Sequence, residues 1–299
     1  MNNRNEKVCI VTGSTSGIGL VTAKELAKMG ATTVVVARDE KRGKAALEEV
    51  IEYSGNDKVD LLMCDFSSQA SIVEFTEKFR RKHDRLDILV NNAGLMSHKR
   101  AVTSSGIELT FAVNHLGYFL TTNLLLDMLK KTPASRVIVV ASDLHLHGNI
   151  DLDNLMHERN YHGFSAYSDS KLANILFTYK LARELKDTDT TINAIHPGVI
   201  KSKFGIEDRS SNETFPMGRI SPEEGAKALI YLSTSENVQG VSGRYFNEMR
   251  MEKSSPTSYD AELADMLWQK SLELTRYFLE LNGSLCNQRA QEKRVSFSR

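Results

Sequence analysis

The sequence predicts an α/β fold: a single doubly wound parallel sheet flanked by helices on both faces. Three observations predict it. Short runs rich in β-branched residues alternate with longer amphipathic segments, each long enough to form a right-handed crossover between parallel strands. The short runs are apolar at nearly every position, as expected of strands that are covered on both faces. No linker or internal repeat interrupts this alternation, so it describes one continuous sheet.

The alternation assigns each element in chain order. The strands are predicted at residues 8–12, 33–36, 59–63, 86–90, 136–141 and 191–195. The helices are predicted at residues 18–29, 41–53, 69–82, 107–130 and 167–186. Gly30 is expected to end the first helix in the left-handed conformation. Ser221 followed by Pro222 predicts the start of a further helix, with proline at the first helical position.

A single domain is predicted over residues 1–299, because an α/β chain of this length commonly forms one core. Two segments fall outside the alternation. Residues 199–221 are polar and irregular, and we expect them to form a lid over a binding site. Residues 255–299 are expected to form a C-terminal helical extension that ends in a frayed tail.

Composition excludes several classes of partner. Lys plus Arg and Asp plus Glu each number 38, so no net field recruits nucleic acid or an anionic membrane. Cys9, Cys64 and Cys286 lie far apart, which favours a reducing compartment over a disulfide framework or a zinc site. No apolar run approaches the ~18 residues of a transmembrane helix. We therefore expect a cytoplasmic protein without a transmembrane segment, whose partner is a small molecule.

The glycine-rich turn after the first strand suggests what that small molecule is. Gly13, Gly17 and Gly19 let a ligand approach the backbone, and the helix that follows directs unpaired N–H groups at it. Such a turn can hold a pyrophosphate, although glycine-rich turns also serve simple packing. No Lys-Ser/Thr pair follows the glycines, which excludes the phosphate-binding loop of nucleotide hydrolases.

Three motifs in order resemble the short-chain dehydrogenase/reductase family over residues 7–244. They are Thr12-Gly13-x-x-x-Gly17-Ile18-Gly19, Asn91-Asn92-Ala93-Gly94 and Tyr167-x-x-x-Lys171. Residues 113–120, 170–178 and 243–246 are similar to the retinol-dehydrogenase-like subgroup. The resemblance implies a Rossmann-type domain that binds NAD or NADP and transfers hydride between a carbonyl compound and its alcohol.

The same resemblance assigns catalytic roles to four residues. Tyr167 would be the general acid/base, and Lys171, four residues later on the same helix face, would lower the pKa of its phenol. Ser142 would hydrogen-bond the substrate oxygen, although serines at strand ends often only close a turn. Asn114 would interrupt its helix and hold a water molecule of a proton relay.

The resemblance also implies a set of cofactor contacts. The set is Gly13, Ser14, Ser16, Gly17, Ile18, Gly19, Arg38, Asp65, Asn91, Ala93, Gly94, Tyr167, Lys171, Pro197, Gly198 and Val199. Arg38 follows the second strand, and Ala37 stands where NAD-using relatives tend to carry an acid, which favours NADP over NAD. The alternative is that residues 38–42 are a solvated charged loop. Asp65 would contact the adenine, and Asn91 is expected to be more structural than chemical.

His145 and His147 raise the question of a metal site. We expect them in a strand on one face, without a carboxylate at ligand spacing, so a structural or substrate-side role is favoured and no metal is predicted.

The leading hypothesis is an NADP-dependent oxidoreductase acting on a ketone, aldehyde or retinoid-like carbonyl. Its lid would carry only scattered apolar residues, namely Phe204, Ile206, Phe215 and Met217, so retinoids dissolved in membranes are expected to be poor substrates. The alternative is a cofactor-binding regulator or scaffold of the same fold. A homodimer could form through helices 107–130 and 167–186, or their apolar faces could be internal core.

Overall fold

The computed structural model describes residues 6–201 and 219–296, except for the side chains of residues 281–296. Its strands are β1 (Val8–Val11), β2 (Thr32–Ala37), β3 (Val59–Met63), β4 (Ile88–Asn91), β5 (Arg136–Val140), β6 (Thr191–His196), β7 (Arg244–Asn247) and β8 (Arg250–Glu252). Its α-helices are α1 (Gly17–Lys28), α2 (Glu40–Ser54), α3 (Gln69–Lys82), α4 (Leu109–Phe111), α5 (Gly117–Lys131), α6 (Gly163–Glu184), α7 (Pro222–Thr234) and α8 (Ala261–Ser296). The six predicted strands are confirmed, with ends that differ by at most two residues.

The eight strands form one sheet in the order β3-β2-β1-β4-β5-β6-β7-β8. All neighbouring pairs from β3 to β7 are parallel, whereas β8 pairs antiparallel with β7. The predicted doubly wound sheet is confirmed, with β7 and β8 as an unpredicted addition at one edge. The strand order reverses between β1 and β4, and a crevice for ligands opens at the carboxyl ends of the strands at such a reversal.

Each face of the sheet carries its own apolar core. Val8 and Ile10 of β1 belong to one cluster, whereas Cys9 and Val11 belong to the other. Successive side chains of a strand point to opposite faces, so this division shows that β1 is buried on both sides. The apolar strands of the sequence are explained by this double burial.

The helix predicted over residues 107–130 is interrupted. The short α4 leads into a π-helical turn, Ala112–Leu116, before α5 begins. The N–H of Gly117 accordingly bonds the carbonyl of Ala112, five residues back. Asn114 lies in this turn, which confirms the expected local break at that residue. Single π turns of this kind often mark functional sites.

The expectation that His145 and His147 lie in a strand is wrong. They lie in a 3₁₀ helix, Asp143–His147, whose N-terminus is capped by the Ser142 hydroxyl. His145 is buried, its Nδ1 lies 2.6 Å from the Ser142 carbonyl oxygen, and its Nε2 accepts a hydrogen bond from the Ser255 N–H at 3.0 Å. The ring therefore ties the end of β5 to the C-terminal segment, which is the structural one of the two roles expected for it.

Helix α8 packs across α5 and α6. The Trp268 ring lies 4.9 Å from that of Phe119 and 5.9 Å from that of Phe177, and His115 Nε2 lies 2.9 Å from Ser271 Oγ. The apolar faces considered for a homodimer are therefore covered by this chain's own helix, in agreement with the internal-core alternative. A homodimer through other surfaces stays a prediction.

Within the described residues, none of the helices combines the length and the apolar character needed to cross a lipid bilayer. Cys9 and Cys64 are buried free thiols. The cytoplasmic location stays a prediction.

Candidate active site

The glycine turn between β1 and α1 needs each of its three glycines for a different reason. Gly13 has φ +64° and lies so close to the next turn that a Cβ would approach Ala93 Cα to 2.8 Å. A Cβ on Gly19 would lie 2.5 Å from both Asn92 Nδ2 and the Gly13 carbonyl oxygen. Gly17 has φ +57° and has open space above it. The turn is thus tightly packed beneath and open above Gly17, as a ligand cradle requires.

Thr12 and Asn92 join this turn to the one that follows β4. Thr12 Oγ1 accepts hydrogen bonds from the N–H groups of Asn92 and Ala93, at 2.8 and 2.9 Å, and donates to Val90 O. Asn92 Nδ2 returns a bond to Thr12 O at 2.8 Å. Neither residue was predicted as a site residue, although both stand in the quoted motifs. They hold the two turns at the strand-order reversal in one fixed relation.

The predicted contacts Ser14 and Ser16 behave differently. The Ser14 hydroxyl is buried, donates to Val11 O at 2.7 Å and accepts from Val36 N–H at 3.0 Å. It fastens the turn to β2 and has no hydrogen to spare for a ligand. Ser16 is exposed and caps α1 by position only, without a side-chain hydrogen bond to the helix. The adjacent Ile18 is half-buried and packs against the core.

After β2, the neighbouring residues Arg38 and Asp39 have different surroundings. Arg38 is exposed, whereas the Asp39 carboxylate accepts the Arg42 N–H at 2.8 Å and caps α2. Ala37 is buried at the end of β2. The predicted Asp65 follows β3 and accepts from the N–H and hydroxyl of Ser67, at 2.9 and 2.7 Å.

Asn91 and Asn114 both serve the architecture. Asn91 is fully buried, and its Nδ2 donates to Thr122 Oγ1 at 3.0 Å, in accord with the structural role expected for it. Asn114 Oδ1 accepts the Leu95 N–H at 2.8 Å, and its Nδ2 donates to Leu95 O at 2.9 Å. A Cβ on Gly94 would lie 3.2 Å from Asn114 Oδ1, so the predicted Gly94 leaves room for the bonds between Asn114 and Leu95.

Ser142 lies two residues after the last residue of β5. Its hydroxyl donates to Asp143 Oδ1 at 3.1 Å and accepts from the Leu144 N–H at 3.2 Å. It also hydrogen-bonds the phenol of Tyr167. The predicted pair of substrate-facing hydroxyls is therefore brought together across β5 and α6.

Lys171 lies on α6 beneath Tyr167. Its Nζ donates to Val140 O at 3.0 Å and lies 5.4 Å from the ring centroid of Tyr167. Asn114 reaches the same helix, since its Nδ2 also donates to Ser170 Oγ at 3.0 Å. The structure thus gathers all four predicted catalytic residues around the carboxyl end of β5.

The ionisation of this pair differs from expectation. Burial lowers the pKa of Lys171 from 10.5 to about 7, so its ammonium is only partly populated at neutral pH. Burial raises the pKa of the Tyr167 phenol, and its hydrogen bond with Ser142 only partly opposes this rise. The predicted lowering of the phenol pKa is therefore not found here. The physical reason is that removal from water penalises both charged forms.

The predicted contacts Pro197, Gly198 and Val199 follow β6. Gly198 has φ +90°, and a Cβ there would lie 2.5 Å from Ile220 Cδ1. The two ends of the predicted lid meet at this point, because Val199 O accepts the N–H of Arg219 and Ile220 O accepts that of Lys201. Residues 202–218, including Phe204, Ile206, Phe215 and Met217, lie outside the described residues, so the lid itself stays a prediction.

These residues fit a dinucleotide. The open cradle over Gly17 suits a pyrophosphate, and the exposed Arg38 suits an anionic group beside the ribose. The turns after β4 and β6 follow the two strands that flank β5 in the sheet. In the part of the chain that the structure describes, His, Cys, Asp and Glu form no group of three or more that could hold a metal ion.

Comparisons with known proteins agree with this geometry. A family model for short chain dehydrogenases matches residues 7–213. Human retinol dehydrogenase 13 is 40% identical over 278 residues, covering 90% of this chain and 84% of its own, and human retinol dehydrogenase 14 is 38% identical over 285 residues, covering 89% and 85%. Human polyprenol dehydrogenase is 37% identical over 283 residues, covering 91% and 86%.

Solved structures show the same fold. An uncharacterised protein from Mycobacterium paratuberculosis superposes with a TM-score of 0.75 at 30% identity, covering 90% of this chain and 93% of its own. A short chain dehydrogenase from Shigella flexneri complexed with NADP superposes with a TM-score of 0.65 at 20% identity, covering 82% and 98%.

Proposed function

The chain belongs to the short-chain dehydrogenase/reductase family, and we propose that it is an NADP-dependent oxidoreductase that reduces a ketone, aldehyde or retinoid-like carbonyl to its alcohol. The observation that carries the proposal is the meeting of Ser142, Tyr167 and Lys171 at the carboxyl end of β5. The family and the relation to retinol dehydrogenases are established by the matches above. The substrate, cofactor preference and direction are proposed here.

Each catalytic residue has a role that its contacts support. The hydroxyls of Ser142 and Tyr167 are neighbours. Tyr167 can donate to a carbonyl oxygen and polarise it, and Ser142 can join it once its hydrogen turns from Asp143 Oδ1 to that oxygen. Tyr167 gives up its proton to that oxygen as the carbonyl becomes an alcohol. Lys171, with a pKa of about 7, can replace the proton on Tyr167 at neutral pH. The bound nicotinamide would supply the hydride.

Asn114 keeps this arrangement rigid. Its Oδ1 accepts from Leu95 and its Nδ2 donates to Leu95 and Ser170, so it fixes α6 relative to the turn after β4. Ser170 in turn donates to Tyr167 O at 2.7 Å. The backbone that carries the phenol is thus tied to the backbone that would line the cofactor.

The preference for NADP is supported by Arg38. Its guanidinium is exposed directly after β2, and the nearest acid in sequence, Asp39, is turned onto the N-terminus of α2. A 2′-phosphate on the ribose can therefore pair with Arg38 while Asp39 Oδ1 stays bonded to the Arg42 N–H.

The first test is turnover. The purified chain is mixed with NADPH or NADH and a panel of aldehydes, diketones, quinones and retinal, and the absorbance of the reduced nicotinamide is followed. We expect turnover that prefers NADPH. In Tyr167→Phe it should fall by about 10²–10⁴-fold while NADPH binding is retained.

The matched control is Tyr179→Phe. Tyr179 also lies on α6, but its hydroxyl bonds Ser254 at 2.7 Å, away from the catalytic group. This variant should keep its turnover. Tight NADPH binding without turnover of any compound in the wild type would overturn the proposal and favour the regulatory alternative.

A further inference from the structure

We propose that Tyr118 is a positioning residue for the proton-transfer step, whose ring holds the Lys171 ammonium and whose hydroxyl orders the water molecule that exchanges protons with it. This inference rests on the proposed function. Tyr118 is not among the residues assigned to catalysis above. It lies on α5, one residue after the start of that helix and four residues after Asn114.

The first observation is an unused hydroxyl. Tyr118 is fully buried, and within the described residues its hydroxyl has no hydrogen-bond partner. Buried hydroxyls are nearly always paired because their desolvation is costly. Apolar packing does not explain the hydroxyl, since Phe119, the next residue, fills the same core cluster without one.

The second observation is the position of the ring. Lys171 Nζ lies 5.7 Å from the ring centroid of Tyr118 and 5.4 Å from that of Tyr167, so the ammonium lies close to two aromatic rings. Both distances are within the range of cation–π attraction, which favours the charged form of lysine. No carboxylate within the described residues forms an ion pair with Lys171, so the rings and Val140 O are its stabilising contacts.

Lys171 has hydrogen-bond donors left for a water molecule. An ammonium has three N–H donors, and Val140 O takes one of them. When Lys171 passes a proton to Tyr167 it must regain one from water. Tyr118 can accept from that water with its oxygen and donate with its hydrogen, and it neither gains nor loses a proton overall. Burial raises the pKa of Tyr118, and a charge on Tyr167 raises it further, so its hydroxyl stays neutral.

Two substitutions separate the ring from the hydroxyl. Tyr118→Phe keeps the ring, so KM should be unchanged while kcat falls about three- to tenfold and its solvent isotope effect grows. Tyr118→Leu removes the ring as well, which should lower the pKa of Lys171 by about half a unit to one unit. The limb of the kcat profile that reports Lys171 should then move to lower pH by the same amount.

Thr121→Val is the matched control. Thr121 lies one turn further along α5, and its hydroxyl is likewise buried without a partner among the described residues. Its removal should leave kcat, the isotope effect and the pH profile as in the wild type. If Tyr118→Phe behaves like Thr121→Val, the hydroxyl has no part in proton transfer and the proposal is wrong.

A second readout is independent of turnover. Lysine labelled with carbon-13 at Cε allows the titration of Lys171 to be followed by NMR, with Lys171→Met identifying its signal. Tyr118 and Tyr167 are the titratable groups whose rings face this ammonium. An equal Lys171 pKa in wild type and Tyr118→Leu would refute the role of the ring, whereas absence of turnover in the wild type would refute only the proposed function.

Discussion

The ammonium of Lys171 is fastened to the carbonyl oxygen of Val140 at 3.0 Å, so the lysine of the catalytic helix is anchored to the strand that leads into Ser142. This bond fixes α6 against β5 at the point where the reaction is proposed to occur. It also places a cationic side chain where only 2% of its surface meets water. Position and burial together determine how this residue affects activity and stability.

Replacing Lys171 with methionine should abolish turnover and stabilise the fold at neutral pH. The folded pKa of about 7 lies below the ordinary 10.5, so between these values the unfolded chain binds more protons and stability rises with pH. Each pH unit in this window contributes roughly 1.4 kcal/mol. The free energy of unfolding in urea should therefore favour Lys171→Met at pH 7, with an advantage about 2–3 kcal/mol smaller at pH 9. The prediction is contradicted if the free energies of unfolding of the wild type and Lys171→Met change by the same amount between pH 7 and pH 9.

Gly17→Ala should lose the cofactor while Gly55→Ala keeps it. Both glycines have positive φ, +57° and +65°, and neither has an atom within 4 Å of an added Cβ. Each substitution should cost about 1–2 kcal/mol of stability through backbone strain. Only the Cβ on Gly17 would occupy the proposed pyrophosphate cradle, so NADPH affinity should fall at least tenfold there alone. If the two variants bind NADPH with equal affinity in a titration, the pyrophosphate does not bind at this turn.

Arg38→Ser should change the choice of cofactor. A hydrogen bond to a charged phosphate contributes about 1.5–3 kcal/mol, so KM for NADPH should rise about 10- to 100-fold while KM for NADH is unchanged. Arg42→Ser is the control, because Arg42 belongs to the same charged loop and is exposed as well. An equal rise in both variants would mean that the loop acts only as a diffuse positive field.

His115 should make the fold sensitive to acid. Burial lowers its pKa to about 4, so the folded chain keeps it neutral while the unfolded chain takes up a proton below about pH 6.5. Stability contributed by the neutral ring is therefore lost as pH falls from 6.5 towards 4. Between pH 6.5 and 5 the wild type should lose about 2 kcal/mol more than His115→Leu in urea unfolding. A wild-type loss no greater than that of the variant would show that His115 does not titrate in this way.

The sequence predicted the sheet well because its signal is local. A strand such as β5 is apolar throughout, and helices such as α3 alternate with it at crossover spacing, so each could be recognised without its neighbours. β7 and β8 were missed because they have only four and three residues, and every residue of β8 is exposed. Such a strand is defined by its pairing with β7, which the sequence alone does not display.

In the site, too, residues marked by a local pattern were predicted and residues placed by long-range contacts were missed. Tyr167 and Lys171 were identified because helical spacing and a motif mark them, whereas the bonds between Thr12 and Asn92 join residues 80 positions apart. The strand predicted around His145 was wrong because the Ser142 hydroxyl caps a 3₁₀ helix at that point, and a cap outweighs the local pattern. The proximity of Tyr118 to Lys171 likewise depends on how α5 packs against α6.

The two buried thiols can report local unfolding of the sheet. Cys9 lies at the centre of β1 and Cys64 just beyond β3, and burial raises the pKa of both well above that of a free thiol. The thiolate is the form that reacts with alkylating reagents, so neither cysteine is modified while the sheet is closed. In a Cys286→Ser background, the rate of alkylation therefore counts excursions in which β1 or β3 separates from its neighbours. A ligand bound in the cradle stabilises the folded chain and should therefore lower the alkylation rate, so binding can be followed without turnover of a substrate.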